Sequence, residues 1–146
     1  MTGKVLDAEG APVPDAMLEI YYASAERKGK STDKATQRPS EFIRVATDDE
    51  GQFRFAVARP VALEVEPSVK QAPHLAVLVF SRGLLRHLIT RMYFPDEPAN
   101  KTDPILQSVP LARQHTMIAR PDAQRSGNLE WNVVLQGEDE TVFFAW

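Results

Sequence analysis

The stretch that decides the fold runs from Pro73 to Pro95 and reads P-H-L-A-V-L-V-F-S-R-G-L-L-R-H-L-I-T-R-M-Y-F-P. Residues 74–80 form an unbroken apolar run of strand length, which is typical of a strand covered on both faces. Residues 81–83 supply a corner, where Gly83 can adopt the positive φ that a tight turn requires. Residues 86–94 then place alternate side chains on opposite faces. The stretch therefore predicts a central β-hairpin, bounded by prolines that cannot continue an inner ladder.

Short apolar segments separated by turn signals make up the remainder of the chain. The strands expected outside the hairpin cover residues 4–6, 16–23, 42–47, 52–58, 61–65, 115–119, 129–135 and 141–146. The Asp7–Gly10 turn is expected to join the first two strands as a β-turn-β unit, and the Asp48–Gly51 turn to join the next two as a hairpin. Asp103 followed by Pro104 predicts one short helical turn over residues 105–109.

The pattern as a whole is one of about eight to ten short strands with turn signals every eight to twelve residues or so. Helical periodicity is almost absent. An all-β sandwich or barrel follows, and the length of 146 residues predicts a single domain over 1–146.

Composition excludes several classes of function. The formal net charge of −3 gives no reason to expect binding to nucleic acid or to an anionic membrane. The chain contains no cysteine, so disulfides, thiolate metal sites and cysteine nucleophiles are excluded. The N-terminal sequence lacks the pattern of a signal peptide, and the longest apolar run is too short to span a bilayer. We expect a soluble, cytoplasmic protein.

The search for catalytic or metal-binding residues gives few candidates. His74, His87 and His115 show no metal-ligand spacing, and a single histidine in a strand is more often structural than a ligand. Arg82, fixed in the corner of the hairpin, is either an ordinary exposed arginine or one that binds a carboxylate through its guanidinium. The basic stretch 25–40 is either a solvated surface loop or a lip for an anionic ligand.

Four segments of the chain carry a family resemblance. They are G-K-V-L-D-A-E-G-A-P-V-P-D-A-M-L-E-I (3–20), A-P-H-L-A-V-L-V-F-S-R-G-L-L-R-H-L-I-T-R-M-Y-F (72–94), F-P-D-E-P-A-N (94–100) and L-Q-G-E-D-E-T-V-F-F (135–144). These segments resemble the intradiol ring-cleaving dioxygenases, and among them the alpha-type subunits of protocatechuate 3,4-dioxygenases. The resemblance implies an intradiol dioxygenase-like β-sandwich. It leaves out the 25–40 loop and the 59–71 link.

The resemblance also implies that the iron site is degenerate. Catalytic chains of the family hold a ferric ion with two tyrosines and two histidines, and carry R-P-A-H-I-H-F where this chain has Q-A-P-H-L-A-V. His74 matches the first histidine, Ala76 stands at the second, and Gln71 replaces the arginine. Gly29 falls at the first tyrosine position, the loop of the second tyrosine contains none, and Arg91 replaces a glutamine.

A chain with one ligand of four is expected to bind no iron itself, because a single imidazole cannot hold ferric iron. The resemblance implies that Fe(III) lies on a beta-type catalytic partner, in a complex that cleaves 3,4-dihydroxybenzoate with O2 between its two hydroxyls. Arg82 is then expected to reach the partner's cleft and bind the carboxylate of this aromatic acid. We also expect the degenerate pocket to be filled, with Arg91 a candidate for the group that fills it.

One departure from the family concerns the N-terminus. Its alpha chains carry an arm of about fifty residues, on the usual size of such subunits, before the opening G-x-V-x-D segment, whereas this sequence starts there. Two rival interpretations remain. The opening segment and T-D-D-E-G-x-F-x-F also resemble carboxypeptidase regulatory-like domains, which would make the chain a stand-alone binding module. The other rival is a self-sufficient dioxygenase with an unrecognised iron site.

Overall fold

The computed structural model describes residues 1–24 and 41–145, and within them the fold is two larger β-sheets packed on a shared core, with a separate two-stranded antiparallel sheet formed by residues 63–66 and 69–71. The strands in chain order are β1 Thr2–Leu6, β2 Met17–Tyr22, β3 Glu41–Ala46, β4 Gln52–Arg54, β5 Leu63–Glu66, β6 Val69–Gln71, β7 His74–Phe80, β8 Leu88–Tyr93, β9 Arg120–Pro121, β10 Leu129–Glu130 and β11 Val133–Val134. The helices are α1 Pro104–Ser108 and α2 Leu111–Gln114, with 3₁₀ turns at Pro98–Thr102 and His115–Met117. The all-β sandwich expected from the sequence is confirmed.

The central hairpin is formed by β7 and β8, as predicted. The two strands pair antiparallel from His74 opposite Tyr93 to Val79 opposite Leu88. The corner closes with a hydrogen bond from the Leu84 amide to the Ser81 carbonyl, and Gly83 adopts a φ of 84° there. A β-carbon is disfavoured at this angle, which is why glycine occupies the position.

The hairpin lies in a four-stranded antiparallel sheet of order β3-β2-β7-β8. The second sheet is built around β1, which pairs with β4 on one side and, in parallel, with β10 and β11 on the other. Alternate residues of β7 point into the space between the sheets, since Leu75, Val77 and Val79 are buried in the same cluster as Val5 and Trp131. The intervening residues of β7, which include His74 and Ala76, therefore lie on the outer face of the central sheet.

The hairpin predicted around the Asp48–Gly51 turn is wrong, because its two strands are divided between the two sheets, and the two strands of the β-turn-β unit at Asp7–Gly10 are divided in the same way. β1 and β4 belong to the second sheet, whereas β2 and β3 belong to the central one. The turns themselves form as expected. The Asp7 carboxylate accepts from the amides two and four residues on, at 3.0 and 2.8 Å, and Asp48 does the same at the same two distances. Such Asx turns provide hydrogen-bond acceptors for the backbone amides of the turn, and they do so whichever sheet the next strand joins.

The C-terminal third contains less strand than predicted and more helix. α1 forms where one helical turn was predicted, with Asp103 as its cap, but α2 and the two 3₁₀ turns were not predicted. The strand expected over 115–119 is wrong, since His115–Met117 is a 3₁₀ turn. The final strand is also wrong, because its described part joins the sheet only through an isolated bridge between Ile89 and Phe144. No helix in the described part of the chain has the length and hydropathy to cross a bilayer.

Candidate functional site

Four positions that the sequence relates to a metal site meet at one end of the central sheet. His74 and Ala76 are two residues apart on the outer face of β7, and their cross-strand neighbours on β8 are Tyr93 and Arg91. Gln71 ends β6, three residues before His74, and its amide oxygen accepts a hydrogen bond from Arg91 Nη1 at 3.0 Å. We call His74, Ala76, Gln71 and Arg91 the relict pocket. Gly29 lies outside the described residues.

His74 is held in one tautomer by the backbone. Only 6% of the residue is exposed, and its Nδ1 lies 2.7 Å from the Ala72 carbonyl oxygen. Because a carbonyl can only accept, Nδ1 carries the proton and donates it, which leaves the lone pair on Nε2. Burial, and then the positive charge of Arg91, lower the His74 pKa to about 4. The imidazole is therefore neutral near pH 7.

Arg91 brings a permanent positive charge into this pocket. Its side chain is half-buried and donates a hydrogen bond to Gln71, and its positive charge acts on both His74 and Tyr93. Opposite it stands Ala76, whose methyl group takes up little of the outer face. The arginine thus lies beside His74 and across from Ala76, the two positions that the resemblance relates to the histidine ligands.

Tyr93 and Asp103 form a buried pair under the pocket that the sequence analysis missed. The Tyr93 hydroxyl donates to Asp103 Oδ1 at 2.9 Å, and burial followed by the Asp103 charge raises the Tyr93 pKa above its usual value. Asp103 is fully buried and also accepts from the amides of Ala72, Ile105 and Leu106 at 2.7, 3.0 and 2.8 Å. The Asp-Pro pair had indicated the helix cap, but nothing in the sequence indicated the other two partners.

The donors around the relict pocket do not fit a ferric ion. Each tyrosine is already engaged elsewhere: Tyr93 donates to Asp103, Tyr21 donates to Glu19, and Tyr22 packs against the sandwich core. Residues 1–24 and 41–145 contain no group of three or more histidine, aspartate or glutamate side chains that could hold a metal. The Arg91 charge also opposes a trivalent cation beside His74.

Arg82 lies at the opposite end of β7 from the relict pocket. Seven strand residues separate the two ends, roughly 20 Å at the rise of a β-strand. The Arg82 side chain is 87% exposed, and its Nε donates to the carboxylate of Asp15, in the loop before β2. Its two Nη groups make no hydrogen bond to any residue that the structure describes. The molecule therefore presents two separate candidate sites rather than one.

Comparison with known proteins finds a matching family profile and relatives that are all dioxygenase chains. A family profile described as "Dioxygenase" matches residues 1–137. The chain is 39% identical to the protocatechuate 3,4-dioxygenase alpha chain of Burkholderia cepacia, over 99% of this chain and 75% of that one. It is 32% identical to the beta chain of the same organism, over 97% of this chain and 65% of that one.

The solved structures agree on the fold. Catechol 1,2-dioxygenase from Pseudomonas arvilla C-1 superposes with a TM-score of 0.66 at 20% identity, over 93% of this chain. The match spans 51% of that enzyme, so the chain corresponds to about half of it.

Proposed function

This chain belongs to the intradiol dioxygenase family, and from that membership we propose that it is an iron-free, alpha-type subunit of a protocatechuate 3,4-dioxygenase-like complex. The complex cleaves the ring of 3,4-dihydroxybenzoate with O2 between its two hydroxyls, and the ferric site lies on a beta-type catalytic partner. One observation carries the proposal: Arg91 and Ala76 are cross-strand neighbours beside His74, where a ferric site would need neutral space and a second imidazole.

The electrostatics of the relict pocket support the absence of iron from this chain. A ferric ion next to the Arg91 guanidinium would meet like charge in a half-buried setting, where repulsion is screened less than in water. His74 Nε2 is the one lone pair that the retained ligand position offers, and a single imidazole cannot hold ferric iron against hydrolysis. The role of the chain is then to support its partner's site.

Arg82 is the residue we assign to the partner's cleft. The guanidinium donates to Asp15 through Nε, and the two Nη groups have no hydrogen-bond partner among the residues that the structure describes. A carboxylate can accept from such a guanidinium along a second edge in a charge-assisted pair. The carboxylate of the aromatic acid is the group we expect there, because ring cleavage leaves it intact and available for orientation.

The experiment that tests the proposal is co-expression with the beta-type intradiol chain encoded in the same genome. Native mass and iron content are then measured on the purified complex. A coloured heteromer with about one iron per alpha-beta pair supports the subunit role, since ferric phenolate absorbs visible light. A colourless chain that retains no partner favours a stand-alone module, and iron on this chain alone favours a self-sufficient dioxygenase.

Two further parts of the proposal concern the chain as a whole. We propose that residues 1–146 form one intradiol-type domain, which is supported by the core cluster that the two larger sheets share. The cytoplasmic location expected from the sequence stays a prediction.

A further inference from the structure

The tip of the β7–β8 hairpin, residues 81–87, presents an apolar side chain among cations. Leu85 is fully exposed, and of the described residues no other large hydrophobic side chain is exposed to the same degree. Arg82, Arg86 and His87 are exposed around it, while Leu84 is half-buried beneath. The tip is therefore an apolar knob with a basic rim.

This tip is held in place before any partner arrives. The turn hydrogen bond from Leu84 to Ser81 closes its base, and the Arg82–Asp15 ion pair ties it to the loop before β2. The ring of His87 lies 5.3 Å from that of Phe80 across the strand ends. A turn whose backbone is already ordered loses little backbone entropy on binding, so the main ordering cost at this tip is that of the Leu85 side chain itself.

We propose that Leu85 is the apolar anchor through which this chain docks onto the beta-type partner, in a pocket of that partner rimmed by acidic side chains. The inference rests on the proposed function and identifies the contact by which the partner is bound. The acidic character of the partner's pocket is inferred from Arg82 and Arg86 at the tip, of which only Arg82 has a carboxylate partner, Asp15, among the described residues. Because Leu85 is three residues from Arg82 in one rigid turn, the docking contact also sets where the Arg82 guanidinium lies in the partner's cleft.

A single exposed leucine is common on protein surfaces and needs a matched comparison. Leu111 provides it, since this leucine is 84% exposed on α2. α2 adjoins the cluster of Tyr93, Leu106 and Met117, which lies at the other end of the hairpin from the tip. The two leucines share a residue type and an exposed setting, and differ in the surface they occupy.

The test compares Leu85→Ser with Leu111→Ser and with Leu85→Met. Each chain is titrated against the beta-type chain encoded in the same genome, and the dissociation constant is measured by calorimetry. Loss of one fully buried leucine contact predicts a Kd about tenfold higher or more for Leu85→Ser. Leu111→Ser is expected to stay within about twofold of the unaltered chain, and Leu85→Met to retain most of the affinity because it keeps an apolar side chain of similar volume.

Two outcomes overturn the inference. Leu85→Ser that binds as tightly as the unaltered chain removes the anchor, and Leu111→Ser that loses as much affinity shows that the effect is not specific to the tip. Circular dichroism confirms that each variant keeps its fold, which is expected for substitutions at exposed sites. Binding of the unaltered chain distinguishes the two proposals. If the unaltered chain binds the beta-type chain and Leu85→Ser binds it equally well, only the role of Leu85 is wrong. If the unaltered chain does not bind the beta-type chain, both the subunit role and the role of Leu85 are wrong.

Discussion

Ala76 and Arg91 are direct cross-strand neighbours on the outer face of the central sheet, where the smallest chiral side chain faces one of the largest. The arginine reaches along that face to Gln71, and its charge contributes to the low pKa of His74. The residues at positions 71, 76 and 91 are therefore linked in space through Arg91. On the proposed function, they place a hydrogen-bonded cation where a catalytic chain would hold its metal.

Removal of the Arg91 charge is expected to raise the pKa of His74. Arg91→Gln keeps a polar side chain on β8, but it abolishes the positive charge that disfavours imidazolium. Since burial is the larger cause and remains, the pKa should rise from about 4 without reaching its ordinary value of 6.5. NMR titration of the imidazole resonances measures the shift. Arg44→Gln, which removes a charge from the Glu19 pair on β2 and β3, should leave the His74 pKa unchanged.

The buried His74 also makes stability depend on pH. Its pKa is about 4 in the folded chain against 6.5 in a model peptide, so between these values the unfolded state binds a proton that the folded state excludes. The free energy of unfolding should therefore fall as pH decreases from about 6.5 to 4, by up to roughly 3 kcal/mol. Urea unfolding at several pH values measures this loss.

His74→Asn is the variant that isolates this effect. An asparagine Nδ2 can replace Nδ1 as the donor to Ala72, but it does not titrate. The slope of stability against pH should flatten in this variant, because the group that the folded state keeps deprotonated is no longer present. An unchanged slope in His74→Asn would show that other groups cause the acid sensitivity.

The sequence predicted the parts of the fold that depend on local signals. Alternation fixed the faces of β8, and the Asp103-Pro104 pair fixed the start of α1. The sequence did not predict which strands pair with each other, because strand pairing depends on contacts between residues far apart in the chain. The Asp7 and Asp48 turns have the same local geometry as turns in hairpins, and only the packing of the two sheets determines that the chain crosses between them there.

In the candidate site, too, some residues were predicted from the sequence and others were not. The resemblance placed His74, Ala76, Gln71 and Arg91 in one pocket, and the register of β7 and β8 brings them together. The Tyr93–Asp103 pair could not be predicted, because its two residues are ten positions apart on different elements and the carboxylate resembles an ordinary helix cap. Long-range hydrogen bonds of a buried side chain leave no periodic trace in a sequence.

Asp103→Asn should destabilise the fold more than Tyr93→Phe. The carboxylate accepts four hydrogen bonds, and an amide at that position must turn a donor toward at least one of them in a fully buried site. We expect a loss of about 3 kcal/mol in the free energy of unfolding, against about 1–2 kcal/mol for Tyr93→Phe, which removes a single donor. Chemical denaturation measures both, and Asp48→Asn, in an exposed turn, should change stability by less than about 0.5 kcal/mol. Equal losses at Asp103 and Asp48 would contradict the argument.

Gly3→Ala should be far more damaging than Gly83→Ala. A β-carbon on Gly3 would lie 1.8 Å from the Trp131 carbonyl oxygen and 2.6 Å from the Phe53 ring, where β1 passes between its neighbours. Backbone must move to relieve this contact, at a cost of about 3 kcal/mol or more. At Gly83 the space is open and only the positive φ is disfavoured, which costs about 1–2 kcal/mol. Thermal unfolding of the two variants gives the order.

Arg82→Ala is expected to impair the assembled enzyme without unfolding this chain. The guanidinium is exposed and its one ion pair is on the surface, so the free energy of unfolding should change by less than about 1 kcal/mol. If its Nη groups bind the substrate carboxylate, the KM of the heteromer for 3,4-dihydroxybenzoate should rise about tenfold or more, from the loss of a charge-assisted pair. The matched substrate is catechol, which lacks the carboxylate: its KM should be the same with and without Arg82. A KM for 3,4-dihydroxybenzoate that stays constant would remove Arg82 from the cleft, and a rise for both substrates would show that the substitution disturbs the interface instead.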